Sequence, residues 1–113
     1  RKPAAQDRTL AAAGIDLDPL GRSAARDGRH LDLSAKEFAV LEALLRASPG
    51  ALSAERLLEQ AWDENTDPFT NTVRVTIGRL RRKLGEPNLI QNTPGIGYRI
   101  ATPEHRPHAA RDM

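Results

Sequence analysis

The residues with the clearest chemical potential are five cations in the segment Asn71–Leu84. They are Arg74, Arg79, Arg81, Arg82 and Lys83, and the segment contains no acid. Guanidinium groups form bidentate hydrogen bonds with phosphates and with guanine edges, so this segment indicates a polyanionic partner. Residues 37–67, by contrast, carry seven acids against two bases, a balance of −5. The net charge of +2 therefore conceals a local basic stripe beside an acidic surface.

A helix would sort the side chains of this segment onto two faces. With about 100° of rotation per residue, four apolar side chains fall within about 60° of arc and predict a buried stripe. These are Val73, Ile77, Leu80 and Leu84. The opposite side carries Asn71, Val75, Gly78, Arg79 and Arg82, with Thr72 at its edge. Arg74 and Arg81 flank one shoulder of this face, and Thr76 and Lys83 flank the other.

The outward face suits the major groove of DNA. Arg79 can bond a guanine edge through both its terminal nitrogens, and Val75 can contact a thymine methyl group. Gly78 removes bulk where the helix must approach closely, and Asn71 can bond adenine or a phosphate. We therefore predict base contacts from Asn71, Val75, Gly78 and Arg79. A solvated basic helix with one exposed valine is the alternative interpretation of the same pattern.

Two further helices precede the basic one. Ser34 followed by Glu37 is a capping box, which predicts a first helix from Ala35. Ser53 is the expected N-cap of a second helix that buries Leu57, Leu58 and Ala61. The third helix, residues 70–84, begins between Pro68 and Thr72 and ends at Gly85.

Short strands flank the helices on both sides. From Arg8 to Leu33 the pattern predicts about four antiparallel strands, and Asp27-Gly28 is a strong hairpin signal. Residues 88–92 and 98–101 predict two more strands around a turn. This order is the layout of a winged helix-turn-helix, an α+β fold in which the third helix enters the major groove. We expect a linker at residues 1–7, one domain at residues 8–101, a wing at residues 89–101 and a flexible tail at residues 102–113.

The sequence resembles the C-terminal DNA-binding domain of OmpR/PhoB-type two-component response regulators. The segments that carry the resemblance are DGRHLDLSAKEFAVLEALL, LLEQAW, TVRVTIGRLRRKLG and GIGYRI, in this order. The resemblance implies transcription regulation through double-stranded DNA, with tandem half-sites. It also implies that the loop 63–69 contacts RNA polymerase.

The resemblance extends the expected contacts beyond the outward face. Together with the shoulder positions, the predicted phosphate contacts are Trp62, Thr72, Arg74, Thr76, Arg81, Arg82, Lys83 and Tyr98. The predicted wing residues are Asn92, Thr93 and Arg99. Core packing is an equal alternative for Trp62 and contributes to the expected role of Tyr98.

Two positions depart from the pattern of this family. Pro94 stands where relatives usually carry an arginine that reaches the minor groove, and Gly78 stands where many carry a longer, often basic side chain. A relative's target sequence therefore does not transfer to this chain. The receiver domain is expected to be absent from these residues, so they carry no prediction about control by phosphorylation.

Composition excludes several other classes of protein. There is no cysteine, and no apolar run approaches the roughly 20 residues of a membrane span, so a cytoplasmic setting is expected. No arrangement of residues predicts catalysis, a cofactor or a metal site, and His105 and His108 lack acidic or thiol partners at ligand spacing. Two rival functions remain at this stage. One is a protein-interaction module that docks RNA polymerase or another acidic partner, and the other is a nonspecific nucleic-acid binder.

Overall fold

The computed structural model of the chain describes residues 10–62 and 71–101. The first of these residues form an antiparallel sheet whose four strands pair in chain order. The strands are β1 (Leu10–Ala12), β2 (Ile15–Asp18), β3 (Ser23–Arg26) and β4 (Arg29–His30). Ile15, Leu17 and Ala24 face the core because alternate residues of a strand point to the same side. Asp27 and Gly28 have φ angles of 51° and 84°, which confirms the predicted Asp-Gly turn between β3 and β4.

Within the described residues, three helices follow the sheet. They are α1 (Ala35–Ala47), α2 (Ala54–Ala61) and α3 (Thr72–Leu84). Both halves of the predicted capping box at Ser34 and Glu37 are present, and Ser53 accepts a hydrogen bond from the backbone N–H of Arg56 at the start of α2. Gly85, with a φ of 84°, ends α3 as predicted.

A hairpin of β5 (Ile90–Thr93) and β6 (Gly97–Ile100) follows α3. Each strand is displaced by one or two residues from its predicted bounds, as is usual for strand ends. Tyr98 also pairs with Leu52 in the α1–α2 connection, through backbone hydrogen bonds of 2.8 Å in both directions. This pairing brings Gly97 against the same connection, since a Cβ added there would clash with the Leu52 carbonyl oxygen. The wing is therefore fixed to the helices at its second strand.

The core lies between the sheet and the three described helices. It includes the predicted stripe of α3, since Val73, Ile77, Leu80 and Leu84 are all buried. Leu57 and Ala61 of α2 are also buried, as predicted. Leu58 was predicted to be buried as well, but it is only half-buried against the core. Three predicted segments lie outside the described residues. They are the linker at residues 1–7, the loop at residues 63–69 and the tail at residues 102–113.

No helix among the described residues combines the length and the apolar character that crossing a membrane requires. The order of sheet, three helices and hairpin confirms the predicted α+β architecture. α3 packs on α1 and α2, and its other side faces away from the core. The fold thus holds the basic helix with one long face turned outward.

Candidate nucleic-acid interface

The outward face of α3 is exposed as the helical projection predicted. Val75 is 45% exposed, whereas the four apolar residues of the stripe on the other side of α3 are buried. Arg74, Arg79 and Arg82 are also exposed. Within the described part of the chain, no hydrogen bond or ion pair engages these three arginines. Their guanidinium groups are therefore available to an external acceptor.

The N-terminal half of the same face is open to a close partner. Asn71 is the N-cap of α3, but its exposed side chain makes no capping hydrogen bond. Thr72 begins the helix and is half-buried. Gly78 leaves a gap in the face, because no atom beyond its chain neighbours and the adjacent backbone of α3 lies within 4 Å of a Cβ added there. The backbone of α3 can thus approach a flat surface at Gly78 without displacing a side chain.

Arg81 fixes α3 to the wing. Its guanidinium donates to the carbonyl oxygen of Ile90 through Nε at 3.2 Å and Nη2 at 2.9 Å, and the contact is partly buried. The carbonyl belongs to the first residue of β5, so the bond joins the third helix to the hairpin. The sequence predicted a phosphate contact at this position, but this guanidinium already has an acceptor within the protein.

Lys83 fixes α3 to α1. Its ammonium group lies 2.7 Å from Oε1 of Glu37, and Glu37 also accepts the backbone N–H of Ser34 at 2.8 Å. Burial raises the pKa of the Glu37 carboxyl, but the hydrogen bonds from Lys83 and Ser34 and the ammonium charge outweigh that effect. The pKa of Glu37 consequently lies below its ordinary value. Glu37 is therefore charged at neutral pH although only 4% of it is exposed.

The predicted position of Thr76 was wrong. The projection placed this residue on an exposed shoulder, but it is only 7% exposed. It lies next to the buried stripe on the side of Lys83, where the packing of α3 extends further around the helix than the four apolar residues alone indicated. A phosphate contact through its hydroxyl group stays a prediction, which this low exposure disfavours.

The C-terminal end of α3 has contacts that the sequence analysis missed. Nη1 of Arg26 donates to the carbonyl oxygens of Leu84 and Gly85 at 2.9 Å each. Nη2 of Arg29 donates to the Leu84 carbonyl at 3.0 Å. One signal was available, because strand alternation places Arg26 on the same face as the buried Ala24. Nothing local identified its partners, which are 58 and 59 residues further along the chain.

Trp62 lies at the C-terminal end of α2 and packs partly against the core. The ammonium group of Lys36 is 5.7 Å from the centre of its ring and donates to the carbonyl oxygen of Ala61 at 3.1 Å. Core packing, one of the two expectations for Trp62, is thus present. A phosphate contact through the indole N–H stays a prediction.

Tyr98 is half-buried and borders a cleft between β6 and the N-terminal parts of α2 and α3. Asn71, Arg74 and Glu55 line the same cleft. The structure therefore brings together three of the predicted DNA-contacting residues, with one acid beside them.

The wing presents mainly small and apolar groups. Asn92 is exposed, and Thr93 and Arg99 are half-buried. At the tip, Pro94 is exposed and Ile96 is 61% exposed.

Comparison with known proteins agrees with this geometry. Residues 28–100 match the family described as "Transcriptional regulatory protein, C terminal". The transcriptional regulatory protein CutR of Streptomyces coelicolor is 63% identical over 91 residues, which are 80% of this chain and 42% of that protein. The transcriptional regulatory protein CusR of Escherichia coli is 37% identical over 95 residues, 81% of this chain and 42% of that protein. The chain thus spans less than half the length of the curated relatives it matches.

Solved structures show the same fold. The DNA-binding domain of CpxR from Escherichia coli has a TM-score of 0.73 at 28% identity and covers 83% of this chain and 96% of its own. The DNA-binding domain of RstA from Klebsiella pneumoniae, in complex with the RstA box, has a TM-score of 0.68 at 27% identity. The match covers 83% of this chain and 97% of the RstA chain. These matches confirm the resemblance to OmpR/PhoB-type C-terminal domains. The chain belongs to the family of transcriptional regulatory protein C-terminal domains.

Proposed function

We propose that this chain binds double-stranded DNA at specific sequences and regulates transcription as the effector domain of a two-component response regulator. The observation that carries the proposal is the division of α3 into two faces. One face is buried in the core, and the other exposes Val75 among three arginines that have no partner within the described residues. A helix of this kind fits the width of the major groove.

The base contacts are assigned to the middle of the outward face. Arg79 donates to the two acceptors of a guanine edge, and Val75, four residues before it on the same face, contacts the methyl group of a thymine. The gap at Gly78 lets the backbone approach the bases, and the free amide of Asn71 completes the set. The preferred site therefore contains a guanine close to a thymine.

The phosphate contacts are assigned to Arg74 and Arg82, with Thr72, Tyr98 and Trp62 at the margins. Arg74 and Tyr98 border one cleft and can share a single phosphate. We leave Thr76 out because it is buried, and we assign Arg81 and Lys83 mainly to holding α3 in place because both have partners inside the protein.

The wing is assigned to the adjacent groove through Asn92, Thr93 and Arg99. Its tip carries Pro94 and Ile96 and no cation, so its contribution is contact with sugars and base edges more than charge. The relative RstA was solved with the RstA box, which supports DNA as the partner of this fold.

The full protein has further expected partners. Following the family resemblance, we propose tandem half-sites on DNA, contact with RNA polymerase through the loop 63–69, control by a receiver domain and a cytoplasmic setting. Docking of a protein partner alone is the less favoured function, because the relatives are transcriptional regulators and solved neighbours are DNA-binding domains.

Selection of bound sites from a random pool of double-stranded DNA tests the proposal. We expect one enriched motif, and binding to it should survive an excess of random DNA. Failure to enrich any motif, together with loss of binding in random competitor, would indicate a nonspecific binder. No binding to any DNA would favour the protein-docking function.

A further inference from the structure

The C-terminal end of α3 is held by two guanidinium groups from the β3–β4 hairpin. Arg26 donates to the carbonyl oxygens of Leu84 and Gly85, and Arg29 donates to that of Leu84, all at 2.9–3.0 Å. The last carbonyl groups of a helix have no partner within the helix and carry partial negative charge. These hydrogen bonds are therefore charge-assisted, which makes them stronger than bonds between neutral groups.

The buried position of Arg26 is unusual for a charged residue, because it is only 6% exposed. The nearest carboxylate oxygen, on Asp27, lies 3.9 Å away on a side chain that is 76% exposed. A pair at this distance with a largely exposed carboxylate contributes little. The carbonyl groups at the end of α3 are thus the main acceptors for this buried cation, and the cation loses them if the helix end moves.

Directional hydrogen bonds define a position more narrowly than apolar contacts do. The stripe of α3 packs through Ile77, Leu80 and Leu84, and aliphatic contacts tolerate small shifts and rotations. Arg79 lies about 7.5 Å along the helix axis from Leu84, at about 1.5 Å per residue. A tilt at the held end would therefore displace Arg79 directly.

We propose that Arg26 and Arg29 are positioning residues for base recognition by α3. They hold the C-terminal end of the helix so that Arg79 and Val75 meet base edges at the required angle. The proposal rests on the proposed function. Phosphate contacts tolerate a tilt because they depend on the number of cations near the backbone, whereas bidentate base contacts depend on alignment. Loss of the hydrogen bonds from Arg26 and Arg29 to the end of α3 should consequently reduce sequence preference more than general DNA affinity.

The test uses Arg26→Met, which removes the donors and keeps an unbranched side chain of similar length. Affinity is measured for the selected site and for random DNA, at a temperature at which melting curves show each variant folded. Ile15→Val and Leu17→Ala serve as matched controls, because they truncate the core of the same sheet and bracket the loss of stability. Arg29→Met is the milder second variant, since Arg29 is exposed and makes one of the bonds.

The expected result is a fall of about tenfold in the ratio of specific to random affinity for Arg26→Met, the size of one weakened base contact. Arg29→Met should lower the ratio about two- to threefold, and the salt dependence should stay unchanged in both because neither residue is assigned a phosphate. The controls should keep the wild-type ratio.

An unchanged ratio in Arg26→Met, or an equal fall in the controls, overturns the proposal and leaves a structural role only. If Arg26→Met does not fold, Arg29→Met decides in the same way. Absence of any sequence preference in the wild-type protein defeats the proposed function itself. A wild-type preference that both arginine variants retain defeats the positioning role alone.

Discussion

Glu37→Gln tests the contact that fastens α3 to α1. The Glu37 carboxylate accepts hydrogen bonds from the Ser34 backbone N–H at 2.8 Å and from Lys83 at 2.7 Å. A hydrogen bond to a charged group contributes about 1.5–3 kcal/mol and a neutral one about 0.5–1.5 kcal/mol, so neutralising the acceptor costs about 1 kcal/mol at Ser34. The side chain of Lys83 is 41% exposed, so loss of the pair adds at most about 1 kcal/mol.

The expected loss is therefore about 1–2 kcal/mol in the free energy of unfolding at neutral pH, with a fall in Tm of about 4–8 °C for each kcal/mol. Because folding lowers the pKa of Glu37, its charge stabilises the protein fully at pH values above the pKa of glutamate in the unfolded chain. The contribution disappears as pH falls through the lower pKa of the folded state. The difference between wild type and Glu37→Gln should thus be constant near pH 7 and shrink in acid.

Urea denaturation at a series of pH values measures this difference. Glu42→Gln is the control, because Glu42 pairs with Arg46 in the same helix at 2.8 Å but on the exposed side. We expect about 0.5 kcal/mol or less for the control. The reasoning is refuted if the two variants lose equal stability, or if the effect of Glu37→Gln persists unchanged below the folded pKa.

Three further predictions concern the parts of the site. Leu80→Ala should lower the free energy of unfolding by about 2–5 kcal/mol because Leu80 is fully buried, and a loss below about 1 kcal/mol in thermal melting would mean that α3 is not packed as described. Gly97→Ala should lower the melting temperature clearly more than Gly95→Ala, because both glycines have positive φ but only Gly97 abuts the backbone of the α1–α2 connection. Equal melting temperatures for the two variants would contradict that close approach. Arg82→Ala should lower the slope of the logarithm of the DNA-binding constant against the logarithm of salt concentration by about 0.9, the effect of one lost phosphate contact. Arg81→Ala should lower this slope less, because the guanidinium of Arg81 bonds the wing. A larger change for Arg81→Ala than for Arg82→Ala would contradict these roles.

Local signals in the sequence predicted most of the elements. The capping box at Ser34, the Asp-Gly turn and the glycine after Leu84 each specify backbone geometry within a few residues, and the structure contains all three. Helical periodicity also separated the buried stripe of α3 from Val75, because burial of one face follows directly from a period of about 3.6 residues.

The contacts that hold α3 could not be predicted in the same way. Arg26, Arg81 and Lys83 were all basic residues in the sequence, and charge alone does not distinguish a residue for phosphate from one for a carbonyl group. The distinction depends on partners at a distance along the chain: Leu84 for Arg26, Ile90 for Arg81 and Glu37 for Lys83. Two of these partners are backbone carbonyl groups, whose availability depends on where the helix and the strand end.

The central claim is that Arg79, near the middle of α3, reads bases, while Arg82, in the last turn of the same helix, meets a phosphate. Titration of Arg79→Ala and Arg82→Ala against the selected site and random DNA, at several salt concentrations, tests it most directly. Arg79→Ala should lose about ten- to a hundredfold on the selected site, much less on random DNA, and should relax preference at one base pair. Arg82→Ala should weaken both DNAs about equally. Identical behaviour of the two variants would contradict the orientation of α3, and no effect from either would contradict DNA binding by this face.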